Sequence, residues 1–194
     1  MNEGLRNASD VVSRLRDLAS EPELVRLAKR LPTGEPAFGV RMRDLFDTAR
    51  SAVEISQGEL DELFAHEAFE PRMAAFCVLD FRARRQPSLA LRQSYLDHHD
   101  AITTWDMVDR AAPWVVGGAT AGGPYSVLHE LAASDDPLRR RSAVTAPLWF
   151  AKYGEADDVA AGYDVADKLR DDPDPVVRKA AAIYDKHAGR RRRR

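Results

Sequence analysis

Apolar residues recur along this chain at three- and four-residue intervals, the spacing that gathers them on one face of an α-helix. Ser9 is suited to cap a first helix carrying Val12, Leu15 and Leu18. Leu24, Leu27, Ala28 and Leu31 form a second stripe, halted by Pro32 and Gly34, and Leu45, Phe46 and Ala49 mark a third. Ser56 and Glu59 stand in capping-box register ahead of Leu60, Leu63 and Phe64. A long helix opens at Pro71 and carries Ala74, Ala75, Val78, Leu79 and Phe81, and another follows Pro87 with Leu91, Tyr95 and Leu96. Thr103 or Thr104 caps a helix with Trp105, Val108 and Ala112. The glycine-rich run Gly117 to Gly123 predicts a flexible loop before a helix over Tyr125 to Ala133. The last three helices are expected near Asp136, Glu155 and Asp174. No segment alternates with period two, so the predicted fold class is all-α.

Three of these helices open alike, at Glu70-Pro71-Arg72, Asp136-Pro137-Leu138-Arg139-Arg140-Arg141 and Asp174-Pro175-Val176-Val177-Arg178-Lys179. An acid suits the cap, proline suits the first turn, and the small residues that follow allow close packing. The three prolines are spaced by 66 and 38 residues, which leaves room for one further unit around Trp105. That period is a helix pair of HEAT type, and such pairs bury their apolar faces by stacking into a solenoid. The expected organisation is one HEAT-like domain over residues 1–188 and a disordered basic tail over 189–194.

Composition narrows the setting. The chain has 194 residues, 44% hydrophobic and 31% charged, enough for a core and incompatible with disorder. Met1 to Asp10 has no apolar signal region and no stretch is long enough to span a membrane. The lone cysteine, Cys77, lies in the apolar run Ala74 to Leu79 and reads as a buried thiol, so a cytoplasmic location is expected. The net charge of −2 conceals segregation: Glu54 to Glu67 holds five acids and no Lys or Arg, while Leu138 to Lys152 holds four cations and no acid. In stacked helix pairs the second helices line one side together. Here they carry Arg72, Arg82, Arg84, Arg85, Arg139, Arg140, Arg141, Arg178 and Lys179, an arrangement suited to phosphates.

The most pointed segment is Thr104-Trp105-Asp106-Met107-Val108-Asp109, which sets Trp105 and Asp109 four apart on one helix face. By itself it also reads as a core indole beside a surface acid. Asp97-His98-His99-Asp100, with His66 and His129, faintly evokes a metal-dependent HD phosphohydrolase, but adjacent histidines on a helix diverge and a solvated helix end is the better reading. The glycine run is no phosphate loop, since neither a preceding strand nor a Gly-Lys-Ser/Thr accompanies it. Trp149 and Phe150 read as core.

Trp105-Asp106-Met107-Val108-Asp109 resembles the Trp-Asp-x-Val-Asp motif of the DNA alkylation repair glycosylases of the AlkD type. Leu138 to Val144 resembles that family's arginine-bearing helix start, Val177 to Ala181 its C-terminal block, and Phe38-Gly39-Val40-Arg41 a short turn before an early helix. The resemblance covers roughly Leu24 to Ala188. It implies an all-helical fold of HEAT-like repeats that removes cationic alkylated purines, such as 3-methyladenine or 7-methylguanine, from duplex DNA. By resemblance, Asp109 is the carboxylate that stabilises the oxocarbenium-like sugar and positions water, and Trp105 packs against that sugar. Arg141, or Arg140 one position earlier, holds a neighbouring phosphate. The resemblance also implies that the base need not be flipped into a pocket. Two positions depart from the pattern: Ile183 stands where the family usually carries a tryptophan, and Leu27 or Ala28 where it carries an early aromatic. The resemblance also leads one to expect fewer helices at the end of the chain than the family carries.

The sequence therefore points to a DNA glycosylase acting without a cofactor or metal, as a monomer. Asp109 and Trp105 are its expected catalytic residues, and Arg141, Arg140, Arg178, Lys179, Arg82 and Arg85 its expected DNA contacts. A HEAT-like DNA-binding module without chemistry, and a scaffold for acidic peptides, are the alternatives it leaves open.

Overall fold

The computed structural model describes residues 4–191, the last two by their backbone alone. Its helices are α1 (Ala8–Asp17), α2 (Glu21–Ala28), α3 (Met42–Ser51), α4 (Gln57–Phe64), α5 (Phe69–Arg85), α6 (Leu89–Asp97) and α7 (Trp105–Ala112). A π-turn, Pro113–Gly117, carries α7 on into α8 (Gly118–Thr120). There follow α9 (Ser126–Ala132), α10 (Pro137–Thr145), α11 (Leu148–Tyr153), α12 (Ala156–Lys168) and α13 (Pro175–Arg191). No strand occurs among the described residues. The backbone stays helical through Arg191, and 192–194, the rest of the expected tail, lie outside the described residues.

The helices form two layers. Helices α3, α5, α7, α10 and α13 pack each against the next, while α4, α6, α9 and α12 lie against members of that row. This is an all-α helical repeat fold, and one continuous set of buried side chains runs through it from Ala8 to Ala188. Helix α5 is buried on nearly every side from Phe69 to Asp80, as befits the middle of a stack. Its Cys77 is fully buried, and burial pushes the thiol up to about 12.

Helix starts follow the sequence signals with four differences, one of them at α7, where Thr104 holds the cap position without a capping bond and the Thr103 hydroxyl donates to Glu35 at 2.7 Å. Asp136 and Asp174 cap α10 and α13 as expected, their carboxylates accepting the Leu138 and Val176 N–H groups at 2.8 and 2.7 Å. Glu70 does not cap α5, which begins one residue earlier. Its buried carboxylate instead accepts the N–H groups of Phe38, Gly39 and Val40, at 2.9, 2.7 and 3.2 Å, and so pins the loop before α3 to α5. Asn7, not Ser9, caps α1, and Glu59 reaches the Ala8 N–H of α1 rather than closing a capping box on Ser56. Gly39 is required at this loop by its φ of +85°.

The glycine run is not a loop from Gly117 onward. Pro113 has no N–H to extend the α-helical ladder, and the chain passes through a wider turn with Val115, Val116 and Gly117 buried. A Cβ on Gly117 would stand 2.1 Å from the Ala146 carbonyl oxygen at the end of α10. Glycine thus lets the two backbones touch.

His99 overturns the expectation of a solvated helix end. It has no exposed surface, and its Nε2 lies 2.9 Å from the Ser142 hydroxyl of α10, which Tyr95 of α6 also meets at 2.8 Å. His98 stacks on Phe64, with ring centroids 4.3 Å apart. Burial, reinforced by the Arg139 charge, lowers the His99 pKa to about 4.

Two outcomes follow from this packing. Gly117→Ala lowers the unfolding free energy by about 2 kcal/mol in urea titration, because neither backbone can move aside. The second concerns acid. An unfolded His99 takes up its proton near pH 6.5, but the folded one stays neutral down to about 4. Stability is therefore complete above pH 6.5, falls as pH drops through that window by about 3 kcal/mol, and levels off below it. Urea midpoints for wild type and His99→Gln at pH 7.5 and 5 check this, the variant losing the His99 share of the slope.

Candidate active site

The helix row brings Trp105, Asp109 and Arg141 together. Trp105 opens α7 and leaves its indole 47% exposed, although large apolar side chains are otherwise rarely left open in this chain. Asp109, one turn further on the same face, has a carboxylate 35% exposed. From α10, Arg141 meets it side-on: Nε donates to Oδ1 at 3.0 Å and Nη2 to Oδ2 at 2.8 Å. The guanidinium is only 4% exposed, donates through Nη1 to the Val176 carbonyl in the first turn of α13, and has its Cζ 5.5 Å from the Trp105 ring centroid. A two-point ion pair of this kind fixes the carboxylate in orientation as well as in place. One face of the carboxylate stays open to solvent beside the indole.

Sequence reasoning missed the residues that set the rotation of α7. Asp80 of α5 is fully buried; it accepts from Arg84 Nε at 2.8 Å and is ion-paired with Arg110 Nη2 at 2.8 Å. Burial raises its pKa against the pull of those two cations. Arg110 is the neighbour of Asp109, and its guanidinium lies between the Phe46 and Phe81 rings, 4.4 and 4.7 Å from their centroids. On the outer side Asp106 pairs with Arg30, which follows α2, at 3.1 Å, and burial raises its pKa. The Arg84 contact was legible as an i, i+4 pair. Arg110 with Asp80, and Arg30 with Asp106, join residues far apart in sequence and leave no local signal.

Beside Asp109, and floored by Met42, Phe46 and Met73, lies a cavity of about 340 Å³. The resemblance had called for no such space. The two positions where the family pattern calls for aromatics are otherwise occupied: Leu27 is buried in the core and Ile183 is half-buried on α13.

Several arginines expected to contact DNA are engaged within the chain. Arg82 donates to the Val53 and Ile55 carbonyls just past α3. Arg140 holds Asp172 through Nε and Nη2, at 2.7 and 3.0 Å, and also the Ser134 and Asp135 carbonyls. This pairing keeps the Asp172 carboxyl below the usual carboxylate range. Arg141 is closed in by Asp109 and Val176, as described. Arg85 is exposed and paired with Glu54, while Arg178 is exposed but turned back on the Asp172 and Pro173 carbonyls. Lys179 is exposed. For Arg140 and Arg178 the reason is shared: a cation at a helix start finds the carbonyls of the turn before it, whereas Arg82 and Arg85, in the last turn of α5, meet the carbonyls and the Glu54 carboxylate that follow α3. Among the described residues no group of three or more His, Cys, Asp or Glu is placed to hold a metal ion, and no helix is long and apolar enough to cross a membrane.

A stacked-helix protein with an exposed indole, a half-open carboxylate and a buried guanidinium on one row defines a class before any comparison is made: helical-repeat proteins with a side-chain site on the row. The family whose description reads "DNA alkylation repair enzyme" matches residues 11–193, almost the whole chain. The chain belongs to the DNA alkylation repair enzyme family, and its role lies in the repair of alkylated DNA. Comparison with curated proteins finds no match.

Removing the Asp80 carboxylate tests the anchor under α7. Asp80→Ala leaves the half-buried Arg110 guanidinium without its partner and costs about 3 kcal/mol of stability, read from thermal or urea unfolding.

Proposed function

We propose that the protein is a DNA glycosylase that hydrolyses the N-glycosidic bond of cationic alkylated purines, 3-methyladenine or 7-methylguanine, in duplex DNA. The observation that carries this reading is the Asp109 carboxylate, held at two points by Arg141 yet open on one side beside Trp105.

The chemistry needs little else. An alkylated purine already bears a positive charge and leaves as a neutral base, so no strong general acid is required. As the bond lengthens, charge develops on the deoxyribose, and a fixed carboxylate nearby lowers the energy of that state. The same carboxylate orients a water molecule toward the sugar carbon. Arg141 is here a positioning residue, since its guanidinium is consumed by Asp109 and Val176 and has little surface left for a phosphate. Phosphate contacts then fall to exposed cations such as Arg178 and Lys179, with binding that weakens steeply as salt rises. The protein acts as a monomer without a cofactor.

A second reading, a DNA-binding relative without chemistry, draws on Leu27 and Ile183 standing where the family pattern calls for aromatics. One experiment separates the two. Alkylated duplex DNA is incubated with wild type and with Asp109→Asn, and free methylated base is measured beside duplex affinity. The glycosylase reading expects release by wild type and a loss of about 100-fold or more in the variant, with affinity nearly unchanged. Release at the full rate by the variant overturns the role of Asp109. No release by wild type, with salt-sensitive binding intact, leaves the binding module.

A further inference from the structure

A second concave feature lies at the far ends of the helices that carry Trp105 and Arg141. Those two residues stand near the starts of α7 and α10, whereas α8 and α11 follow the other ends of the same two helices. There, between Gly122 after α8, Trp149 and Tyr153 of α11, and the first turn of α12, is a cavity of about 380 Å³. The volume falls within the range of about 300–1,000 Å³ for small-molecule pockets. Tyr125, Glu155, Asp157 and Asp158 also line it. Asp158 is 3% exposed and ties the walls together. Its Oδ1 accepts the Gly122 N–H at 2.7 Å and the Tyr125 hydroxyl at 2.8 Å, and its Oδ2 accepts the Glu155 N–H at 2.9 Å.

The charge of this cavity is unbalanced. Asp158 is met by neutral donors alone, Glu155 accepts a backbone N–H as the cap of α12, and Asp157 is exposed. None of the three is ion-paired to a cation among the described residues. Burial, the bond to Asp158 and the charges of Asp158 and Asp157 push the Tyr125 phenol up to about 12. Such a lining repels a phosphate backbone. Its other component is aromatic. Trp149 and Tyr153, four apart on α11, have ring centroids 5.3 Å apart and planes inclined at 47°, and Tyr153 is 44% exposed. Lys152 lies 4.9 Å from the Tyr153 centroid but takes no part in the lining.

Aromatic faces attract cations that give up their water readily, and carboxylates without a counter-ion add the charge term. A bare metal ion is held too tightly by its own water, and no ligand group for one is placed among the described residues. We propose that this cavity binds an alkylated ammonium group, with Trp149, Tyr153 and Tyr125 as its aromatic walls and Glu155 and Asp157 as its counter-charges. The site is separate from Asp109 and does not depend on the glycosylase reading. Its head group has two possible carriers of the same chemistry: a small molecule such as choline, or an N-methylated lysine side chain.

Fluorine NMR of the full chain carrying 5-fluorotryptophan tests this, because Trp105, Trp114 and Trp149 are its three tryptophans. Titration with choline is expected to shift the Trp149 resonance saturably and to leave Trp105 in place. The uncharged carbon analogue 3,3-dimethylbutan-1-ol, which keeps the shape and lacks the charge, is expected to bind roughly tenfold or more weakly. Tyr153→Leu and Asp157→Asn, both at exposed positions, are each expected to weaken choline binding about fivefold or more. A short peptide carrying trimethyllysine is then titrated in the same way. Tighter binding than choline identifies a protein side chain as the occupant, and equal or weaker binding identifies a small molecule. The proposal is overturned if neither choline nor the peptide moves Trp149, if the uncharged analogue binds as well as choline, or if both variants match wild type. The comparison of choline with its uncharged analogue uses wild type alone and stands even if a variant does not fold.

Discussion

One buried guanidinium sets the terms for this molecule. Arg141 projects from α10, takes the Asp109 carboxylate of α7 on two of its nitrogens and gives the third to the Val176 carbonyl of α13. A cation removed from water must have its donors satisfied, or several kcal/mol are lost. Here that requirement can be met only when three successive members of the helix row are in register. The carboxylate's orientation is therefore a property of the stack rather than of a flexible side chain. Such rigidity matters for stabilising a short-lived charge, because a preorganised group needs no rearrangement when the charge appears.

Much of the fold was legible because helical periodicity is local. Acid-proline openings at Asp136 and Asp174 begin α10 and α13. Where the reading failed, a distant partner had changed a residue's task. Glu70 looks like a cap and is instead the acceptor for three N–H groups some thirty residues earlier in the chain. His99 looks like part of a polar helix end until Ser142 and Tyr95 close over it. Gly117 heads a run that reads as a loop, yet its lack of a side chain serves contact between two helices.

The site divides along the same line. Trp105 and Asp109 share a helix face, and Arg141 lies in a recognisable helix start, so the trio could be named from sequence. Nothing local links Arg110 to Asp80 or Arg30 to Asp106, although these pairs hold α7 from its inner and outer sides. Charge counts by segment were also an incomplete guide to DNA contacts. Arg82 serves the carbonyls that follow α3, and Arg140 those of the turn before its own helix. Formal charge along a chain records where cations are, whereas availability depends on which acceptors the fold leaves unsatisfied nearby.

The π-turn after α7 carries a consequence for how this chain tolerates changes in length. A π-turn accommodates one residue more than the α-helical count, and losing that residue would tighten the segment and rotate everything beyond it by about 100°. The residues so displaced are Gly117 with its seat on Ala146, and the junction with α8, all on the C-terminal side. Trp105 and Asp109 lie upstream on α7 and keep the Arg110 anchor, but Arg141, on α10, lies beyond the turn and would be carried out of register with Asp109. The residue count of this turn thus matters to the site at a distance: a loss of one residue there moves the guanidinium that aims the carboxylate, although no residue of the turn touches either group.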